Sequence, residues 1–108
     1  MEDLNVLLVC GSGASSGFMA TNINKAAKKR GISCKVVARS KSEVDSYIDS
    51  VNMVMIGPHM KFVKPEIEEK AVGKDVKIVV MNKSYYGLLD GEAALDHILS
   101  FYGDKGEL

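Results

Sequence analysis

Four apolar blocks alternate along the chain with stretches in which apolar positions recur at helical spacing. Residues 5–9 are nearly all aliphatic with no period-2 alternation, the pattern of a strand buried on both faces. Behind them Met19, Ile23, Ala26, Ala27 and Arg30 fall on one helical face, and Gly31 supplies the stop. Residues 35–38 predict a second strand, short and near a sheet edge. Ser40 and Glu43 have capping-box spacing ahead of a stripe of Val44, Tyr47, Ile48 and Val51, which predicts a second helix. Residues 54–56 close a third strand before Gly57-Pro58, which breaks it and opens a loop containing His59. Phe62, Val63, Ile67 and Ala71 fit a third helix, with Pro65 near its first turn and Gly73 past its end. Residues 76–81 predict a fourth buried strand. A polar loop over 82–87 then leads to a last helix with Leu88, Leu95, Ile98, Leu99 and Tyr102 on one face. Residues 103–108 are polar and expected to fray.

Strands and helices in strict alternation imply an α/β fold, a parallel four-stranded sheet covered on both faces. The expected strand order is 2-1-3-4, a flavodoxin-like arrangement with its switch point between strands one and three. Ligands in such sheets sit beyond the carboxyl ends of the strands at that point. Topology alone then makes Cys10 and the Gly57-Pro58-His59 segment neighbours. With no internal repeat and no linker, residues 1–108 read as one domain.

Composition narrows the function. The chain of 108 residues is 46% hydrophobic with a formal net charge of zero, and its one basic run, residues 25–30, ends a helix where cations complement the dipole. That balance excludes nucleic-acid binding driven by phosphate neutralisation. The two cysteines, Cys10 and Cys34, have neither metal-ligand nor disulfide spacing, as in a reducing compartment. The opening Met1-Glu2-Asp3 is acidic, and the apolar run behind it is too short for a signal peptide or a span. A cytoplasmic protein with no direct membrane insertion is expected, although it can still dock on a membrane protein.

The chemistry gathers where the first strand ends. Cys10 is followed by Gly11, Ser12, Gly13, Ala14, Ser15, Ser16 and Gly17, a run of small residues that packing does not require. A thiol at a helix N-terminus is shifted toward thiolate, and the free N–H groups there can hold an oxyanion. The loop lacks the Gly-Lys-Ser/Thr ending of a nucleotide-binding loop. A cysteine phosphatase would need an arginine six positions after the cysteine, where this chain has Ser16, and without its guanidinium a hydrolase loses transition-state stabilisation. Cys10 as a phosphoryl carrier therefore leads, with a cysteine phosphatase, a thiol reductase and an anion-sensing module as the alternatives. Cys34 reads as structural. His59 either meets a phosphate or a partner or is a plain surface residue. One of Tyr85 and Tyr86 lines the site or both pack, and His97 is expected to be solvated. Asp90 and Glu92 favour the start of the last helix. No metal or cofactor is called for by these residues.

Three motifs resemble the B component (enzyme IIB) of the lactose/cellobiose-type sugar phosphotransferase system over nearly the whole chain. They are Cys10-Gly11-Ser12-Gly13-Ala14-Ser15-Ser16 after the first strand, Gly57-Pro58-His59 after the third, and Tyr86-Gly87 with Asp90-Gly91 after the fourth. The resemblance implies that Cys10 accepts a phosphoryl group from a phosphohistidine on the A component (IIA). It then passes that group to a sugar, a disaccharide such as cellobiose, lactose or chitobiose, held by the membrane-embedded C component (IIC). By position, Gly11, Ser12, Gly13, Ala14, Ser15 and Ser16 would cradle the phosphocysteine. His59 stands where that family usually has glutamine, and Asn52 where it often has aspartate. The loop is also similar to that of galactitol/ascorbate-type B components, so reaction class is implied more firmly than sugar class.

Overall fold

In the computed structural model residues 3–10 and 14–102 are described. Strand β1 (Leu4–Cys10) leads to helix α1 (Ala14–Arg30) and β2 (Cys34–Ser40). A 3-10 turn (Lys41–Glu43) precedes the single turn of α2 (Val44–Tyr47), and β3 (Met53–Ile56) follows. Next come a 3-10 segment (Pro58–Val63), α3 (Lys64–Lys70), β4 (Lys77–Val80), α4 (Lys83–Gly87) and α5 (Gly91–Ser100). The four strands form one parallel sheet in the order β2-β1-β3-β4, as the alternation of elements predicts.

The apolar runs lack alternation because both faces of the sheet are covered. Val6 and Leu8 of β1 with Met53 and Met55 of β3 pack under α1 and α5, against Met19, Ile23, Ala26, Ala27, Leu95 and Ile98. Leu7, Val9, Val54 and Ile56 point the other way, against Val44, Ile48, Val63 and Ile67. Strand β2 lies at the edge, and its outer side is engaged by α1: Asn24 Nδ2 donates to the Val36 carbonyl at 2.9 Å and the Val36 N–H donates to Asn24 Oδ1 at 2.8 Å. At the amino ends of the strands, Asn52 joins β1 to β3, its Oδ1 accepting the Asn5 N–H at 2.7 Å. That position is a helix-strand junction, remote from Cys10.

Several elements depart from the pattern. The second helix is a 3-10 turn and one α-turn; its stripe is buried as expected at Val44, Ile48 and Val51, but the last two lie beyond the helix. The segment after Gly57-Pro58 is 3-10 rather than loop, and its three-residue period leaves Phe62 exposed while Val63 is buried. Residues 82–87 are not an open loop: Asn82 accepts the Ser84 N–H at 2.8 Å and caps α4. Leu88 lies outside α5 and is exposed, since that helix starts only after Asp90, whose carboxylate accepts the Ala93 N–H. Arg30 is exposed rather than part of the buried face of α1, its guanidinium donating to Glu92 Oε1 at 2.6 Å and Asp96 Oδ1 at 2.7 Å of α5. Gly31 ends α1 at φ 71°, where a glycine costs least. The tail at 103–108 lies outside the described residues.

Candidate active site

Cys10 is the last residue of β1, paired in register with Ser40 of β2. Strand β1 sits between β2 and β3, the chain leaving it toward β2 and returning on the other side as β3, so its carboxyl end is the switch point of the sheet. Only residues 11–13 separate Cys10 from the 17-residue helix α1, which Ala14, Ser15 and Ser16 open and whose first turn carries no acidic residue. Gly11, Ser12 and Gly13 lie outside the described residues. A helix of this length presents unpaired N–H groups and the positive end of its dipole toward the end of β1.

The neighbouring crossing point is built by β3. The Gly57 N–H donates to the Val9 carbonyl at 3.2 Å, which seats the start of the Gly57-Pro58-His59 segment beside Cys10 along the backbone. A Cβ on Gly57 would lie 2.8 Å from His59 Cε1, so the imidazole folds back over this residue and glycine gives it room. The same ring lies 5.7 Å, centroid to centroid, from that of Tyr86 on α4. Tyr86 is thus joined to the β3 exit, whereas Tyr85 is buried and its hydroxyl meets His97 Nδ1 at 2.5 Å.

His97 departs from the expectation of a solvated side chain. Its ring packs against Tyr85 and, at 5.4 Å, Phe101, and burial lowers its pKa. The reason is α4: once residues 83–87 coil into a helix, Tyr85 is carried onto the flank of α5. Cys34 fits its structural reading. It opens β2 opposite Leu4, packs against the core, and burial pushes its thiol up to about 11. Because Cys34 aligns with Leu4 at one end of β1 and Cys10 lies at the other, their Cα atoms are about 20 Å apart at the usual strand rise. A disulfide needs under about 7 Å, so these two thiols do not form a redox pair, which removes the simplest thiol-reductase reading.

The sequence patterns missed one participant. Gly91 opens α5 where it crosses α1, and a Cβ there would stand 2.4 Å from the Asn22 carbonyl carbon and oxygen. Beside it Leu89 takes φ 52°, a conformation usually left to glycine, held by Asn22 Nδ2 donating to its carbonyl at 2.8 Å. This clasp fixes the exit of α4, and with it Tyr86, against α1. The Asp90-Gly91 motif is its only trace in the sequence.

A flavodoxin-like α/β protein with a cysteine at the end of its central strand and a helix opening just beyond it is the class that fold and site define. A model of the lactose/cellobiose-specific IIB subunit of the phosphotransferase system matches residues 5–97, and the chain belongs to that family. It is 28% identical to the oligo-beta-mannoside-specific EIIB component of Bacillus subtilis, over 88% of this chain and 92% of that protein. It is 31% identical to part of the lactose-specific EIICB component of Lacticaseibacillus casei, covering 92% of this chain but 18% of that much longer protein. In fold it is similar to the lactose-specific IIB component domain of Streptococcus pneumoniae, with a TM-score of 0.85 at 19% identity, over 94% of this chain and 99% of that one. Among the described residues no helix is long and apolar enough to cross a membrane.

Proposed function

We propose that this IIB component is a cytoplasmic phosphoryl carrier that works through Cys10. The Cys10 thiolate attacks the phosphorus of a phosphohistidine on the A component. The S–P bond forms as the P–N bond breaks, and the departing imidazole nitrogen keeps the electron pair. In the second step a hydroxyl of the sugar bound by the C component attacks the same phosphorus. The S–P bond then breaks, the thiolate is restored and the hydroxyl proton passes to a base or to solvent. A disaccharide of the cellobiose, lactose or chitobiose kind is the proposed acceptor.

The observation that carries this reading is the placement of Cys10 at the carboxyl end of the central strand, with the amino end of α1 beginning at Ala14. The helix end favours both the thiolate and the dianionic thiophosphate that replaces it. In this reading Gly11, Ser12, Gly13, Ala14, Ser15 and Ser16 cradle the phosphoryl group through main-chain N–H and hydroxyl donors. His59 and Tyr86, paired ring to ring, border it from the β3 and β4 exits. With no arginine at position 16, the loop has no guanidinium to drive hydrolysis, which suits a relay better than a phosphatase.

Intact-mass measurement after incubation with a phosphorylated A component tests the proposal. One phosphoryl group is expected on the wild-type chain and none on Cys10→Ser; label that persists in the variant refutes the assignment.

A further inference from the structure

We propose that Asn22, a residue outside the Cys10 loop, is a positioning residue for phosphoryl transfer: through the Leu89 carbonyl it holds Tyr86, and with Tyr86 the His59 ring, at the phosphoryl site. This role presupposes the carrier function proposed above and adds a side chain that acts on the same site from a distance.

Asn22 stands about 12 Å along the axis of α1 from Ala14, where that helix opens. Its Nδ2 donates to the Leu89 carbonyl at 2.8 Å. Among the described residues Leu89 alone, glycines apart, has a positive φ, 52°. An L residue takes that conformation at a cost, and such strain persists only where neighbouring contacts enforce it. Two contacts do so, both with Asn22. One is the amide bond; the other is the approach of Gly91, whose missing Cβ would stand 2.4 Å from the Asn22 carbonyl. A glycine at position 89 would reach the same φ unaided. With leucine there, the conformation depends on Asn22.

What the conformation fixes is the end of α4. The Leu89 N–H donates to the Tyr86 carbonyl at 3.1 Å and the Asp90 N–H to the Tyr85 carbonyl at 2.9 Å, which sets how Tyr86 leaves the helix. The Tyr86 ring lies 5.7 Å from that of His59, whose imidazole folds over Gly57. Gly57 in turn donates its N–H to the carbonyl of Val9, the residue before Cys10. Contacts therefore run without a break from the middle of α1, through the exits of α4 and β3, to the end of β1. Asn24 provides the contrast: from the same helix it directs its amide to Val36 at the sheet edge, with bonds of 2.9 and 2.8 Å. Of these two asparagines, only Asn22 leads to the site.

The test follows Cys10 phosphorylation by intact mass against the concentration of an A component loaded from phosphoenolpyruvate. In Asn22→Ala the rate at saturating donor should fall about tenfold, less than the roughly hundredfold that a full ångström of misplacement can cost. The donor concentration for half-maximal rate should stay within about twofold of wild type, since binding is left intact. Asn22→Asp keeps the shape and loses the donor, so it should match Asn22→Ala and separates the lost bond from a cavity. Asn24→Ala loses two bonds and should lose at least as much stability in urea, yet it should transfer at the wild-type rate. In a Tyr86→Ala background, removing the Asn22 amide should slow transfer no further, because the two act in series. The chain has two histidines, so the His59 Hε1 resonance is assigned with His97→Gln; shifted by the Tyr86 ring, it should move in Asn22→Ala and stay in place in Asn24→Ala. Asn22→Ala at the wild-type rate, an equal loss in Asn24→Ala, or a loss that persists in the Tyr86→Ala background overturns the positioning role while wild-type labelling leaves the proposed function standing. No label on wild-type Cys10 at any donor concentration overturns the proposed function and the positioning role with it.

Discussion

Adding one methyl group to Gly91 should loosen the whole α1–α5 face. An alanine Cβ there would stand 2.4 Å from the Asn22 carbonyl carbon and oxygen and 2.8 Å from the Ile23 nitrogen. These are backbone atoms inside a helix, so no side chain can rotate away and α5 must retreat. That retreat separates Ala94, Leu95 and Ile98 from Met19, Ile23, Ala26 and Ala27, all of them buried. Overpacking costs about 1–3 kcal/mol, and a backbone obstacle belongs at the upper end. The better helix propensity of alanine returns at most ~1 kcal/mol. A net loss of about 2 kcal/mol corresponds, at ~4–8 °C per kcal/mol for a domain of this size, to a Tm roughly 10 °C lower. Scanning calorimetry or urea unfolding of Gly91→Ala measures it, with the m-value unchanged. Gly17→Ala is the matched comparison, because a Cβ at Gly17 in α1 meets nothing within 4 Å. It should gain about 0.5–1 kcal/mol from the backbone term alone. A Gly91→Ala protein as stable as the wild type, or two alanine variants that shift Tm in the same direction, would refute the reasoning.

Two further outcomes follow from particular hydrogen bonds. Asn24→Ala strips Val36 of both its side-chain partners; leaving a half-buried N–H and carbonyl to find water costs about 1–3 kcal/mol, measurable in urea and as faster amide exchange at Val36. His97 has a lowered pKa because burial disfavours its charged form, so its neutral state contributes stability that is complete above the unfolded value of about 6.5 and is lost as pH falls from there through the folded value. Between pH about 7.5 and 5 the wild type should therefore lose more stability than His97→Gln, with the carboxylate background cancelling between the two; equal losses would show that the Tyr85–His97 contact does not exclude the proton.

The fold was legible where burial is two-sided. Strands β1 and β3 announce themselves because consecutive aliphatic residues are needed to fill both faces of a central strand, and from four such runs the order β2-β1-β3-β4 follows. Reading failed at helix ends. A 3.6-residue period extended to Phe62 and Leu88 puts both on apolar stripes, past the residues that keep that period. The period is three around Phe62 and Leu88 precedes the helix altogether, so both face outward. His97 illustrates a different limit: its partner Tyr85 belongs to a short helix whose polar sequence carries no periodic signal, and packing across elements cannot be seen in a local pattern. At the site, the position of Cys10 could be anticipated from a strand, a run of small residues and a helical stripe. The closeness of α1 and α5 at Gly91 could not, since a single glycine looks the same whether its missing Cβ would meet backbone or open space.

The amide of Asn24 has a consequence for how the protein behaves in a crowd. By occupying both hydrogen-bonding groups of Val36 it interrupts the outer border of β2 midway along its length. A strand from another molecule that tried to zip onto this border would have to displace a bond pair already made within the chain. Pairing of two copies through β2 is thus disfavoured, whereas β4, the other edge of the sheet, is not covered by this bond pair.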